Sequence, residues 1–202
     1  MKSTAAVLLL LTLAPPLLSA QDAPGFELQR KWENDQRWEE QIDIEGRFNI
    51  YTPALLEQAV DTVATPLGKQ AYHTYFFEVP DARKSDNVIY MLSYVDYPRG
   101  ALHQDSTELV TEFLEATEAA AAEAVKGEVI YSDTLRVGPY PARRWRIDYR
   151  DGEASARSLA IVAHHRYYEV KTFSLKARGT NKSTDKFFNS LEIYPPDPKR
   201  TP

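Results

Sequence analysis

The sequence predicts an α+β fold, an α/β/α sandwich built on a largely antiparallel sheet. First, alternating apolar and polar residues, typical of half-buried strands, recur over most of the chain. Second, turn signals such as Asp151-Gly152 separate some of these segments, and strands joined by tight turns pair antiparallel. Third, one long and one short helical pattern can cover the faces of such a sheet.

Eight segments carry the strand pattern and are rich in β-branched and aromatic residues. In chain order, the predicted strands are 47–52, 58–64, 69–79, 88–95, 128–137, 142–149, 156–164 and 167–175. Pro53 ends the first of them, and His165-Arg166 lies at or near the bend between the last two.

The segment from about 105 to 126 predicts one long helix. Apolar residues recur there at helical spacing, on Leu109, Phe113, Ala120 and Ala124. Asp105 and Glu108 form a pair of the capping-box kind, and Gly127 suits a left-handed stop. We expect this helix to cover one face of the sheet.

A short helix is predicted from about 183 to 190, with Ser183 as its cap and Phe187 and Phe188 as its apolar residues. The prolines within 195–202 predict an extended tail. We expect the short helix and the N-terminal leader to cover the second face of the sheet.

Residues 1–20 have the pattern of a secretory signal peptide, with one lysine, a short apolar run and small residues at the end. The apolar run is too short to span a bilayer. We expect cleavage after Ala20, which predicts a periplasmic or secreted protein. Residues 21–41 predict a leader or arm, and residues 42–194 predict a single domain.

The composition excludes several classes of partner and chemistry. A net charge of −5 at pH 7 disfavours nucleic acid, because phosphate binding needs a clustered basic surface. The chain has no cysteine, which excludes a lipid-anchored cysteine, a cysteine nucleophile and a thiolate metal site. After the signal peptide, no apolar stretch is long enough to be a transmembrane segment.

Four segments have the character of fold-specific motifs: GRFNIYTP at 46–53, TPLG at 65–68, YVDYP at 94–98 and KFFNSL at 186–191. On these segments the chain resembles the PsbP-like family. This family includes the extrinsic PsbP protein of photosystem II and small bacterial periplasmic proteins. The resemblance runs from about residue 46 to residue 193. It implies an α/β/α sandwich and a binding or assembly role, and it supplies no active-site residues.

The residues that could support catalysis or bind a metal lack the necessary spacing. His164 and His165 are adjacent, so only at a bend could they converge with Asp148 or Asp151. Neither HExxH nor paired helical histidines occur, and we expect no metal and no cofactor. Neither G-x-S-x-G nor a phosphate-cradling glycine loop is present, and we predict no catalytic residue.

Tyrosines and arginines are the remaining indication of a binding site in the sequence, because both residue types are favoured at interaction sites. The candidate residues for binding a ligand or partner are Tyr72, Tyr94, Arg144, Arg146, His164 and His165. Strand alternation sends Arg144 and Arg146 to one face, and Arg143 with Trp145 to the other. Two interpretations stay open for these arginines: a solvated face with cation–π contacts, or an anion site.

The leading hypothesis is an exported, non-catalytic binding or assembly protein that acts on a protein or an envelope component. One alternative is a carrier of a small ligand or lipid, with a pocket between the sheet and the long helix. Another is a hydrolase whose site no motif reveals. A cleft in which His164, His165 and Asp148 converge would favour the hydrolase.

Overall fold

The structure, a computed structural model, describes residues 38–196. Ten strands and two α-helices occur in this part of the chain. In order they are β1 (Glu39–Asp43), β2 (Phe48–Thr52), β3 (Glu57–Thr65), β4 (Gly68–Glu78), β5 (Ile89–Asp96), α1 (Thr107–Val125), β6 (Glu128–Val137), β7 (Tyr140–Tyr149), β8 (Ala154–Ala163), β9 (Arg166–Leu175), α2 (Lys182–Asn189) and β10 (Glu192–Ile193). A short 3₁₀ turn, Lys176–Arg178, links β9 to α2.

Seven strands form one fully antiparallel sheet in the order β3-β4-β5-β9-β8-β7-β6. The α+β sandwich predicted from the sequence is thereby confirmed. The prediction did not include the second, three-stranded sheet, in which β2 lies between β1 and β10. Its strand β1 starts within the segment that was expected to be an arm.

Helix α1 covers one face of the main sheet, as expected. Its apolar side packs on alternate residues of the strands below it; the buried residues of this layer include Tyr72, Val95, Val110, Phe113, Leu114, Ala121, Trp145, Ile147, Ala160, Val162 and Tyr167. The ring of Phe113 makes edge contacts with Tyr97 and Tyr167, at centroid distances of 5.4 and 5.3 Å. None of the helices within residues 38–196 has the length and apolar character needed to span a membrane.

Helix α2 and the three-stranded sheet together cover the opposite face. The buried residues of this second layer include Phe48, Ile50, Tyr75, Tyr94, Leu159, Ile161, Tyr168, Val170, Phe187, Phe188 and Leu191. Arg166 joins the two sheets: it forms two hydrogen bonds with Asp96, at 2.7 and 2.6 Å, and one with the backbone oxygen of Glu45. Both faces of the main sheet are therefore covered by packed residues.

The helix ends differ from the predicted ones in detail. Ser106 rather than Asp105 is the N-cap of α1, and its side chain forms no capping hydrogen bond. The left-handed stop falls on Lys126, with φ of 50°, and not on Gly127. Asn181 rather than Ser183 caps α2, because its side-chain oxygen accepts from the Thr184 amide at 2.7 Å.

Candidate functional site

A cleft of about 400 Å³ lies between α2 and the face of the sheet near its β6 edge. Three strands and the short helix supply its walls. The lining residues are Leu135, Arg136, Val137, Arg144, Arg157, Leu159, Asp185, Phe188, Asn189 and Leu191. We call it the arginine cleft, because β6, β7 and β8 each contribute one arginine. It lies on the opposite face from the pocket that the carrier hypothesis places beneath the long helix.

Arg157 is the buried arginine of the cleft, with a side chain only 8% exposed. Its Nε donates to the hydroxyl of Tyr131 at 2.9 Å, and its Nη2 donates to Asp185 at 2.8 Å. Its guanidinium also lies 5.7 Å from the centroid of the Phe188 ring. The remaining nitrogen, Nη1, is shielded from solvent and has no hydrogen-bond partner.

Arg144 and Arg136 contribute the other two positive charges. Nη2 of Arg144 donates to Asp133 at 3.1 Å, whereas its buried Nε has no partner. Arg136 reaches the backbone oxygen of Pro139 in the turn that follows β6. Both unpartnered nitrogens are closed to solvent, so a ligand would meet the exposed part of the Arg144 side chain, which is 41% exposed.

The charge and shape of the cleft favour a small oxyanion attached to an apolar group. The lining contains three arginines and one carboxylate, Asp185, which accepts from Arg157. A second carboxylate, Asp133, accepts from Arg144 at 3.1 Å, so the arginines still exceed the carboxylates by one. Guanidinium groups match the planar geometry of a carboxylate or the oxygens of a phosphate. Leucine, valine and phenylalanine side chains form the remaining wall. The chemistry that this arrangement supports is recognition of a negative charge beside an apolar body.

The cap of α2 positions the helical wall of the cleft. The side chain of Asn181 accepts from the Thr184 amide, and it also donates to Asn87 at 3.0 Å and to the backbone oxygen of Arg178 at 2.8 Å. Asn87 in turn accepts from the buried Thr184 hydroxyl at 3.0 Å. This network fixes the start of α2 and, one turn later, the position of Asp185.

Arg146, the other arginine predicted for binding, shares the face of Arg144 but is engaged within the protein. Two of its nitrogens donate to the carboxylate of Asp148, at 2.8 and 3.2 Å. A third donates to the hydroxyl of Thr180 at 3.3 Å. On the opposite face, Arg143 pairs with Glu118 of α1, as the alternation predicted. Of these three arginines, only Arg144 lines the cleft.

The two candidate tyrosines do not share a surface. Tyr72 is buried beneath α1, whereas Tyr94 is buried on the opposite face of the sheet. The Tyr94 ring stacks on His73 at 4.3 Å and lies 4.3 Å from the Arg166 guanidinium. Burial raises the pKa of Tyr94 to about 12, although the positive charge of Arg166 opposes the shift. Both tyrosines lie in the core layers.

His164 and His165 form the turn between β8 and β9, where His164 adopts a left-handed conformation with φ of 58°. This turn holds the loop before α1. The His164 amide donates to the Gln104 side chain at 2.7 Å, and Nδ1 of His165 lies 2.9 Å from the backbone oxygen of Leu102. Burial lowers the pKa of His164, and the nearby Arg47, His103 and His165 lower it further.

The histidine turn and Asp148 do not converge. Asp148 pairs with Ser155 at the start of β8, whereas His164 follows the end of the same strand. Within residues 38–196, no group of three or more histidine, aspartate or glutamate residues is arranged to bind a metal ion.

Sequence reasoning missed Arg157, although the sequence contains one sign of it. Arg157 is the only charged residue in β8, whose other nine residues are alanine, serine, leucine, isoleucine and valine. A lone charge in a buried strand needs a partner. The partners, Tyr131 and Asp185, are 26 and 28 residues away along the chain, so the pairing could not be inferred from local spacing.

The fold and the cleft together define an α+β sandwich, with the main sheet covered on both faces and an arginine-lined cleft on one of them. No protein-family model matches the chain, and no curated protein matches it. Among solved structures, the chain is similar to the solution structure of cyanobacterial PsbP (CyanoP) from Synechocystis sp. PCC 6803. The identity is 14%, the match covers 89% of this chain and 100% of that chain, and the TM-score is 0.43.

Proposed function

We propose that this chain is an exported, non-catalytic binding protein that takes an acidic group of a protein or envelope component into the arginine cleft. The observation that carries the proposal is the lining of the cleft, which contains three arginines, one carboxylate and an apolar wall. The Arg144 side chain is 41% exposed, so an oxyanion in the cleft could accept charge-assisted hydrogen bonds from the exposed part of its guanidinium group.

The composition of the cleft supports binding rather than turnover. Its lining contains no hydroxyl and no imidazole, and its one carboxylate, Asp185, is hydrogen-bonded to Arg157. A nucleophile and a general base within hydrogen-bonding distance are what acyl or glycosyl transfer would need. The cleft supplies positive charge and an apolar wall, which are the elements of recognition.

Calorimetric titration with inorganic phosphate and with acetate at low ionic strength tests this function. We expect saturable binding that weakens with added salt, because the contact is between charges. Arg144→Gln should weaken it, whereas Arg143→Gln, on the opposite face of the same strand, should not. Equal affinities of the wild type and Arg144→Gln, or no saturable binding, would contradict the proposal.

Export is part of the proposal, and it rests on residues 1–20, which lie outside the described residues. The mass of the protein recovered from cells carrying the full gene tests it. We expect a chain that begins at Gln21, found in the periplasmic or secreted fraction. An intact N-terminus in the cytoplasmic fraction would argue against export without affecting the anion-binding test.

A further inference from the structure

We infer that the acidic group bound by the arginine cleft is the C-terminal carboxylate of an extended polypeptide, whose last residues pair with the free edge of β6. The inference rests on the proposed function and names the class of partner. Its basis is the position of the cleft, because Leu135, Arg136 and Val137 of β6 form one of its walls.

Strand β6 is an edge strand among the described strands, with β7 as its one neighbour. The pairing is irregular between Val129 and Tyr131 and regular from Tyr131 to Val137. The regular part leads directly to the cleft. An edge strand presents unpaired backbone donors and acceptors, which an extended peptide can satisfy by adding a further strand.

The lining of the cleft matches the end of such a peptide. Arg144 and Arg157 both line the cleft, and a planar carboxylate suits the fork-like geometry of a guanidinium group such as that of the partly exposed Arg144. The apolar wall, formed by Leu135, Val137, Leu159, Phe188 and Leu191, suits an apolar last side chain. Pockets for small molecules span roughly 300–1,000 Å³. At about 400 Å³, the cleft lies near the lower end of this range and has room for a terminal residue.

The opposite edge of the sheet provides a comparison. Strand β3 is the other terminal strand of the seven-stranded sheet, and its charged residues are Glu57 and Asp61, whereas those of β6 are Glu128, Asp133 and Arg136. Of these two edges of the main sheet, β6 is the one that lies beside the arginines of the cleft, which makes it the expected site.

Octapeptides of alanine, serine and threonine that end in leucine test the inference, each made as a free acid and as a C-terminal amide. Binding is measured by fluorescence anisotropy and mapped with backbone amide NMR signals. We expect the acid to bind at least about tenfold more tightly than the amide. This is the gain in affinity expected from a single charge-assisted hydrogen bond. The acid should shift the amide signals of β6 and α2 and slow hydrogen exchange along β6.

Variants separate this inference from the proposed function. Arg144→Gln should abolish the difference between acid and amide, and Arg143→Gln should preserve it. Equal binding of the two forms, no binding of the acid, or shifts confined to β3 would overturn the inference. If phosphate still binds the cleft in that case, the proposed anion-binding function stands and the peptide partner is wrong. If phosphate fails as well, both are wrong.

Discussion

Nη2 of Arg157 donates to Oδ1 of Asp185 at 2.8 Å, and this contact ties the main sheet to helix α2. The two ends of the contact differ in exposure, because the arginine side chain is 8% exposed and the aspartate side chain is 50% exposed. Asp185 therefore stabilises a buried positive charge and, at the same time, competes with any anion that enters the cleft.

Asp185→Asn should separate these two effects. We expect a loss of about 1 kcal/mol in the free energy of unfolding, kept small because water screens the half-exposed carboxylate. Phosphate should bind more tightly to the variant, since a competing negative charge has been removed. Urea denaturation and calorimetry measure the two quantities. Asp151→Asn, in the exposed β7–β8 turn, is the control with the same charge change and should alter neither. Weaker phosphate binding by Asp185→Asn would contradict the account.

The cap of α2 makes a second prediction. Asn181→Ala should lower the free energy of unfolding by about 1 kcal/mol, because the Thr184 amide loses its acceptor. It should also weaken phosphate binding, since α2 forms a wall of the cleft. Ser183→Ala, at the cap predicted from the sequence, removes one hydrogen bond to Asp86 and should cost less. A larger loss in Ser183→Ala than in Asn181→Ala would instead indicate that Ser183 is the cap of α2, as the sequence predicts.

His164 makes the stability of the fold depend on pH. Because burial and nearby positive charges lower its pKa from the ordinary 6.5, the unfolded chain binds the proton more readily. The contribution of His164 is therefore complete above about pH 6.5 and is lost as the pH falls below that value. His164→Asn should lose less stability between pH 7.5 and pH 5, and asparagine tolerates the left-handed φ at this position.

Urea denaturation of both proteins at the two pH values measures this effect. Asp105 opposes the shift by raising the pKa of His164, so Asp105→Asn should enlarge the pH dependence of the wild type. Identical losses in the wild type and His164→Asn would show that the histidine turn does not contribute.

The packing around Gly127, which directly follows α1, leads to a further prediction. A Cβ at this position would lie 2.8 Å from the backbone oxygen of Asp148 and would also overlap the Ile147 side chain. Gly127→Ala should therefore destabilise the fold by about 1–3 kcal/mol, as overpacking does. Gly138→Asn is the control: no atom lies within 4 Å of its Cβ, and asparagine accepts its φ of 56°. Thermal denaturation distinguishes the two, and a neutral Gly127→Ala would contradict the observed packing.

The main sheet and both helices could be predicted from the sequence because they depend on local patterns. Alternation in β7 placed Arg144 and Arg146 together, and apolar spacing located α1. The three-stranded sheet could not be predicted in this way. Its strand β10 has two residues, and it forms only because Glu192 pairs with Asn49, far earlier in the chain.

The candidate site was predictable only in part. Charge and alternation left an anion site at Arg144 and Arg146 as one of two open interpretations, and they could not distinguish Arg144 from Arg146, which Asp148 engages. Aromatic composition selected Tyr72 and Tyr94, although both are core residues on opposite faces. In each case the deciding contact is between strands or layers, and residue type alone does not specify it.

The Nε–Hε NMR signals of the arginine side chains during a titration with inorganic phosphate test the central claim most directly. We expect the Arg144 signal to shift saturably, because Arg144 lines the cleft and its side chain is 41% exposed. The Arg146 signal should stay in place, because its Nε already donates to Asp148 at 2.8 Å. A fixed Arg144 signal, or equal shifts of both arginines, would contradict the claim that the arginine cleft is an anion site.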